Sequence, residues 1–144
     1  MPNWVQEGYE EYAKRLPREL KPALITLPLA NRSKNTNTAK VITQEGDAML
    51  KQMQPQARVI ALDVLGKGVS TEQLSKKLAS WQLEGQNIEI LVGGPDGLDK
   101  RCLDRAHEKW SLSAMTLPHP LVRVVLIEQL YRAWTLLNNH PYHK

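Results

Sequence analysis

Hydrophobic positions along this chain switch repeatedly between helical and strand spacing. Trp4, Tyr9, Tyr12 and Leu16 share one helical face, and Pro17 ends that helix. Ala23–Leu27 is a short apolar run between Pro22 and Pro28 and predicts a strand. Asn31–Thr38 is polar, basic and free of glycine, and predicts an exposed loop. A helix then runs to about Met53, with Val41, Ile42, Ala48, Met49 and Met53 inward. Arg58–Val64 is rich in β-branched residues and predicts a strand, turned at Leu65-Gly66-Lys67-Gly68. Ser70 and Gln73 have the spacing of a capping box. Leu74, Leu78 and Trp81 line the helix they open, and Gly85 closes it. Ile88–Val92 predicts a buried strand running into Gly93-Gly94-Pro95-Asp96-Gly97. Leu98–Trp110 predicts a helix with Leu98, Leu103, Ala106 and Trp110 inward. Ser111–Leu117 is a stretch of small and apolar residues. It leads through Pro118-His119-Pro120 to a last helix, Leu121 to about Leu137.

Strands alternating with helices predict an α/β fold, a parallel sheet with helices on both faces. No internal repeat, low-complexity segment or linker interrupts the pattern, so residues 1–144 read as one domain. The last helix is apolar almost all round, through Leu121, Val122, Val124, Val125, Leu126, Ile127, Leu130, Ala133, Trp134, Leu136 and Leu137. Such a helix must be covered on nearly every side. A domain of 144 residues struggles to do this alone, which points to a homodimer.

Composition narrows the class. Apolar residues make up 42% and charged residues 24%, a globular balance. No apolar run approaches the roughly 18 residues of a membrane span. Met1–Tyr12 lacks the basic and apolar regions of a signal peptide, so a cytoplasmic location is expected. The single cysteine, Cys102, excludes an internal disulfide and a cysteine-cluster metal site. The net charge is +4, a weak pointer to an anionic partner. From Leu98 to Lys144 seven Lys or Arg face four Asp or Glu, so this third carries +3 of it. All four histidines, His107, His119, His140 and His143, lie there too. Arg32, Lys34 and Lys40 add a basic patch in the Asn31–Lys40 segment.

In parallel sheets ligands bind beyond the carboxyl ends of the strands. Leu62–Lys67, Gly93–Gly97 and Leu112–Pro118 are the loops placed there. Gly93-Gly94 has two readings: a tight turn, or a place where backbone N–H groups approach a ligand closely. The loop has neither the dinucleotide-binding glycine spacing nor the Gly-Lys-Ser/Thr of a nucleotide-triphosphate loop. A ligand held by backbone groups in apolar loops fits better. His119, His140 and His143 match no metal-ligand spacing, and no carboxylate sits near them in sequence, so no metal is expected. Cys102 falls within a helical pattern and reads as packed. His107 reads as a solvated histidine on a charged helix side.

The segments LVGGPDGL, SLSAMTLPHPLVRVVLIEQLYRAW and the terminal PYHK, with Trp4–Tyr12 and Val59–Asp63, carry a resemblance that spans essentially the whole chain. They resemble the RlmH family of small SPOUT-superfamily methyltransferases. The resemblance implies transfer of a methyl group from S-adenosylmethionine to N3 of a pseudouridine in 23S ribosomal RNA, on the assembled ribosome. It implies a C-terminal trefoil knot, which pattern alone never shows, and an obligate homodimer. The family opens with a strand before its first helix; Met1-Pro2-Asn3-Trp4 starts at the helix, so that strand is expected to be lacking.

By the same resemblance the cofactor touches Leu62, Gly93 and the stretch Leu112, Ser113, Ala114, Met115, Thr116 and Leu117. N3 of pseudouridine carries a proton that must leave, so a base or an anion-stabilising group is required. His143, Tyr142, Arg132 and His119 are the candidates, with the C-terminal tail favoured. Two other readings stay open: a non-catalytic RNA- or ribosome-binding module of the same fold, and a tRNA-directed SPOUT methyltransferase.

Overall fold

The structure, a computed structural model, describes residues 2–20, 22–27 and 37–143, without the His143 side chain. In chain order its elements are helix α1 (Asn3–Ala13), a 3-10 turn (Arg18–Leu20), α2 (Thr38–Gln52), strand β1 (Arg58–Gly68), α3 (Thr71–Glu84), β2 (Ile88–Leu91), α4 (Lys100–Arg105), β3 (Glu108–Ser111), α5 (His119–Leu137) and a second 3-10 turn (Pro141–His143). They divide into two compact units. A helical unit comprises Met1–Leu24, Val69–Gly85 and Met115–Lys144; a sheet unit comprises Ile25–Gly68 and Gln86–Ala114.

The sheet unit holds three parallel strands in the order β2-β1-β3. β1 is central, and Val59, Ile60 and Ala61 are completely buried. This near-continuous apolar run is what a parallel strand covered on both faces requires. Val59, Leu91 and Cys102 form the core, with Met49, Leu50 and Met53 from α2 and Leu98 and Ala106 flanking α4 packed against it. The parallel α/β arrangement matches the expectation.

Four local expectations are corrected. Ala23–Leu27, expected as a strand, takes part in none, and Ile25 is 63% exposed. An apolar run between two prolines becomes a strand only when a neighbour supplies its hydrogen bonds, and among the described residues no strand precedes Arg58. Leu65–Gly68, expected as a turn, belongs to β1. The Leu98–Trp110 helix is six residues long, Lys100–Arg105, and Ala106 is already extended (φ −69°, ψ 141°). Glu108–Ser111 instead forms β3, so His107 lies at a strand entrance rather than on a helix. His107 is exposed, yet its backbone N–H donates to the Val59 carbonyl (2.7 Å) and its Nδ1 accepts from the Val59 N–H (3.0 Å). The loop expected over Asn31–Thr38 is different: residues 31–36 lie outside the described residues, and Thr38 already begins α2.

The helical unit packs α1 and α3 on α5. Ala13, Leu16, Ile127 and Tyr131 form its core, joined by Tyr9, Tyr12, Leu130, Trp134 and Tyr142. Burial raises the Tyr9 phenol to about 12. Gly8 gives α5 room: a Cβ there would lie 3.2 Å from Val124 Cγ2. α3 carries the expected capping box. Ser70 Oγ accepts from the Gln73 N–H (3.1 Å), and Gln73 Oε1 accepts from the Ser70 N–H (2.8 Å). Gly85 closes the helix in the left-handed conformation, φ 66°. Ser75 Oγ donates to the Ala133 carbonyl (3.2 Å) and Thr71 Oγ1 to Gln129 Oε1 (2.7 Å), tying α3 to α5. α5 starts at His119, with Pro120 in its first turn, where a missing N–H costs nothing. No described helix is long and apolar enough to cross a membrane.

Candidate functional site

Register sets Leu62, where β1 breaks its pairing, level with the ends of its two neighbours. Ala61 is opposite Leu91, and Leu62 is opposite Trp110. Leu62, Gly93 and Leu112 therefore sit at the same carboxyl edge of adjacent parallel strands, where open α/β sheets bind ligands.

Each loop has its own geometry. β1 bows out after Leu62, and Lys67 returns to the same partner, Trp110. Asp63–Gly66 form the excursion, which leaves Val64 and Leu65 72% and 91% exposed. Gly66 allows the return: a Cβ there would lie 2.7 Å from backbone atoms of Lys109 and Trp110. After β2, the Gly97 N–H donates to the Gly94 carbonyl (3.0 Å), and Gly97 has φ 87°. Gly94-Pro95-Asp96-Gly97 is thus a closed β-turn with proline at its second position. It brings backbone against Gly93, whose added Cβ would come within 3.0 Å of Gly97 and 3.1 Å of Leu98. The tight-turn reading is correct, and the loop still presents main-chain edges. After β3, Ser111 Oγ donates to the Ser113 carbonyl (3.0 Å) and shapes Leu112–Ala114. The expected cofactor stretch crosses the division of the chain: Leu112, Ser113 and Ala114 belong to the sheet unit, Met115, Thr116 and Leu117 to the helical unit.

The second concentration of chemistry lies in the helical unit. Glu128 and Arg132 are one turn apart on α5. Arg132 donates to Glu128 Oε2 through Nη2 (2.7 Å) and Nε (3.1 Å). The Tyr142 phenol donates to the same oxygen at 2.7 Å. The Tyr142 ring meets Tyr131 edge-on, centroids 4.6 Å apart, and the Arg132 guanidinium lies 5.0 Å from its centre. Arg15 stands over Tyr12, Tyr131 and Tyr142 at 5.0, 5.5 and 5.9 Å. Burial, then the hydrogen bonds to Glu128 and Tyr12, push the Tyr142 phenol well above its usual range. Burial opposes ionisation of Glu128, but hydrogen bonds from Arg132 and Tyr142 outweigh it and hold its carboxyl below the usual range. Arg132 is raised by Glu128 in return.

Tyr142 and Arg132 are therefore brought together, and Glu128, which pattern reading passed over, is the group that joins them. The only sequence signal for it is its i,i+4 spacing to Arg132, shared by many surface pairs. The backbone of His143 completes the last 3-10 turn, and its side chain lies outside the described residues, as does Lys144. His119 opens α5, thirteen residues before Arg132 and so about 20 Å along the helix axis. It does not join the cluster within one chain. Among the described residues no three His, Cys, Asp or Glu side chains are grouped to hold a metal. Cys102 is buried, its thiol pushed up by burial, with Sγ 3.9 Å from the Gly46 carbonyl. That is a packed thiol.

The family model described as "Predicted SPOUT methyltransferase" matches residues 1–143. The chain is 71% identical over 144 residues to "Ribosomal RNA large subunit methyltransferase H" of Saccharophagus degradans, covering 100% of this chain and 93% of the relative. Relatives of the same name from Marinomonas sp. and Teredinibacter turnerae are 56% and 59% identical, with the same coverage.

Proposed function

The chain belongs to the SPOUT methyltransferase family, and on that premise we propose that it methylates N3 of a pseudouridine in 23S ribosomal RNA, using S-adenosylmethionine, in the cytoplasm and on the assembled ribosome. Support comes from relatives named as large-subunit ribosomal RNA methyltransferases at 54–71% identity along the entire chain. The observation that carries the reading is the alignment of Leu62, Gly93 and Leu112 at one edge of three adjacent parallel strands.

Those residues fit the methyl donor. S-adenosylmethionine supplies the methyl group from a positively charged sulfonium. Leu62, Gly93, Leu112, Ser113 and Ala114 carry no charge to repel it. Their backbone groups, with Met115, Thr116 and Leu117, are assigned to the donor. A bound donor would pass its methyl group to N3 by in-line displacement at the sulfonium. The loops must align the two partners and exclude water.

The N3 proton needs an acceptor. Tyr142 is poorly suited, because its phenol is raised and already donates to Glu128. Imidazole is a side chain able to accept a proton near neutral pH, and His143 is assigned as the proton acceptor. Arg132 stays charged, with 32% of its side chain open to solvent, and is assigned to the negative charge that develops on the pseudouridine ring as N3 loses its proton. His119 is assigned an auxiliary role.

The active form is a homodimer. Val122, Val124, Val125 and Leu126 are only half-buried in one chain, and a second copy would cover them. In this reading the C-terminal segment also threads a loop to form a trefoil knot. The test is methyl transfer to assembled ribosomes and to naked 23S RNA, with the modified base mapped. Labelled N3-methylpseudouridine on ribosomes is expected. No transfer to either substrate, or a label on another base, overturns the reading.

A further inference from the structure

The C-terminal turn is anchored by one carboxylate. Glu128 Oε2 accepts from Arg132 Nη2, Arg132 Nε and the Tyr142 phenol at 2.7, 3.1 and 2.7 Å. Its Oε1 accepts from Gln129 Nε2 at 2.9 Å. The Glu128 side chain is only 17% exposed. A core that needed only packing here would be served by leucine, since a buried ion pair is a weak source of stability. A carboxylate with donors from two elements instead sets orientation.

The direction of that constraint is visible. Tyr142 precedes His143 in the same 3-10 turn. Fixing the Tyr142 phenol on α5 fixes the backbone from which the His143 side chain departs. The turn is held from its other side too, because the Tyr142 N–H donates to His140 Nδ1 at 3.2 Å. The groups around the phenol are thus Glu128 and Arg132 on α5, Tyr131 on α5, Tyr12 and Arg15 at α1, and His140 before the turn.

We infer that Glu128 is a positioning residue for methyl transfer: it docks the C-terminal turn through Tyr142, orients Arg132 by the same oxygen, and so sets where His143 meets the target base. The inference rests on the methyl-transfer reading above. Glu128 touches neither substrate nor donor in this role; it acts through the two side chains it holds.

The variants are Glu128→Gln, Tyr142→Phe and the double substitution, made in the full-length protein. Both single changes keep the volume of the side chain. Each is expected to lower kcat on ribosomes by on the order of tenfold to a hundredfold, the scale of a small misplacement of a catalytic group. KM and donor affinity should stay at wild-type values, and both variants should keep the wild-type fold by circular dichroism. The double variant should be no slower than the worse single one, because both break one contact. Additive losses, or a parallel fall in donor affinity, overturn the inference in favour of a structural role. A second readout needs no activity. Ultraviolet titration of the phenols, with Tyr142→Phe as the subtraction, should show Tyr142 ionising above the ordinary 10 in the wild type. Glu128→Gln should move it down, since a neutral partner no longer repels the phenolate. No change in that titration overturns the anchor even if methyl transfer is confirmed. A wild-type protein that never methylates RNA but shows the shift keeps the anchor and rejects its catalytic purpose.

Discussion

In the bow of β1 and the loops after β2 and β3 the groups that shape the surface are main-chain atoms. Gly66 and Gly93 are there because a Cβ would strike backbone 2.7 and 3.0 Å away. In the turn after α5 the opposite holds. Glu128, Arg132, Tyr131, Tyr142 and Arg15 meet through side-chain atoms, at hydrogen-bond and ring-contact distances. The first region suits a ligand recognised by shape and amide groups. The second suits chemistry, which needs a proton acceptor and a fixed charge. Damage should follow the same line: added bulk harms the loops, and lost functional groups harm the tail.

Deleting Tyr142–Lys144 puts that division to its severest test. It removes the phenol on Glu128 and the His143 imidazole together, and touches no strand-end loop. Methyl transfer to ribosomes is expected to fall to background, while S-adenosylmethionine still binds and light scattering still reports a dimer. Full-rate transfer by the truncated protein would make the tail an ordinary frayed end.

Gly93→Val probes the other region. Two methyl groups enter a space where even a Cβ lies 3.0–3.1 Å from the Gly97 and Leu98 backbone. The turn must shift, and donor affinity by calorimetry should weaken by about tenfold or more, about 1.4 kcal/mol. Dimer assembly and the Tyr142 titration should not change. Wild-type donor affinity would remove this loop from the site.

How much of this was legible in the sequence follows from the range of each determinant. Ser70, Gln73 and Gly85 act within four residues, and α3 begins and ends where they say. The start of β1 and the whole of β2 were legible because both are apolar runs, whereas the turn expected after β1 proved to be part of it. β3 was not: Trp110 satisfies helical spacing from Leu103 and Ala106 as well as strand alternation, and four residues are too few to decide. Its pairing with β1, fifty residues away, decides instead. The bow in β1, which sets two residues against one Trp110, is also a matter of pairing. Glu128 was invisible for a third reason. Its partner in the last turn depends on where the chain goes after α5.

A smaller effect separates the bow in β1 from the tail. Gly66→Ala places a Cβ 2.7 Å from the Lys109 and Trp110 backbone, which flexible side chains cannot relieve. Overpacking of this kind costs about 1–3 kcal/mol, readable as a lower urea midpoint at unchanged slope. The cost should fall on the sheet unit. Hydrogen exchange of β1 and β3 amides should accelerate while α5 amides keep their protection. Equal acceleration in both units would show that loops and tail share one cooperative structure.

The smallest expected effect appears only in acid, and it weighs the two regions on one scale. Each holds a partly buried carboxylate below its usual range. Asp99, bonded to the Arg101 side chain and capping α4 in the sheet unit, is held below its usual 3.8; Glu128 in the helical unit is held below 4.5. A group whose folded pKa is depressed contributes stability that is complete above its unfolded value and is lost as pH falls through the folded value. Both contributions should therefore be intact from pH 7 down to about pH 5, and melting temperature should be flat over that range on their account. Below the ordinary carboxylate values stability should drop. Asp99→Asn and Glu128→Gln should each flatten part of that drop, because each removes one proton uptake on unfolding. The ring signals of Tyr142 distinguish the two: they should follow the Glu128 step in the wild type and in Asp99→Asn, and lose it in Glu128→Gln. Ring signals that follow the Asp99 step instead would tie the tail to the sheet unit's electrostatics and erase the contrast between the regions.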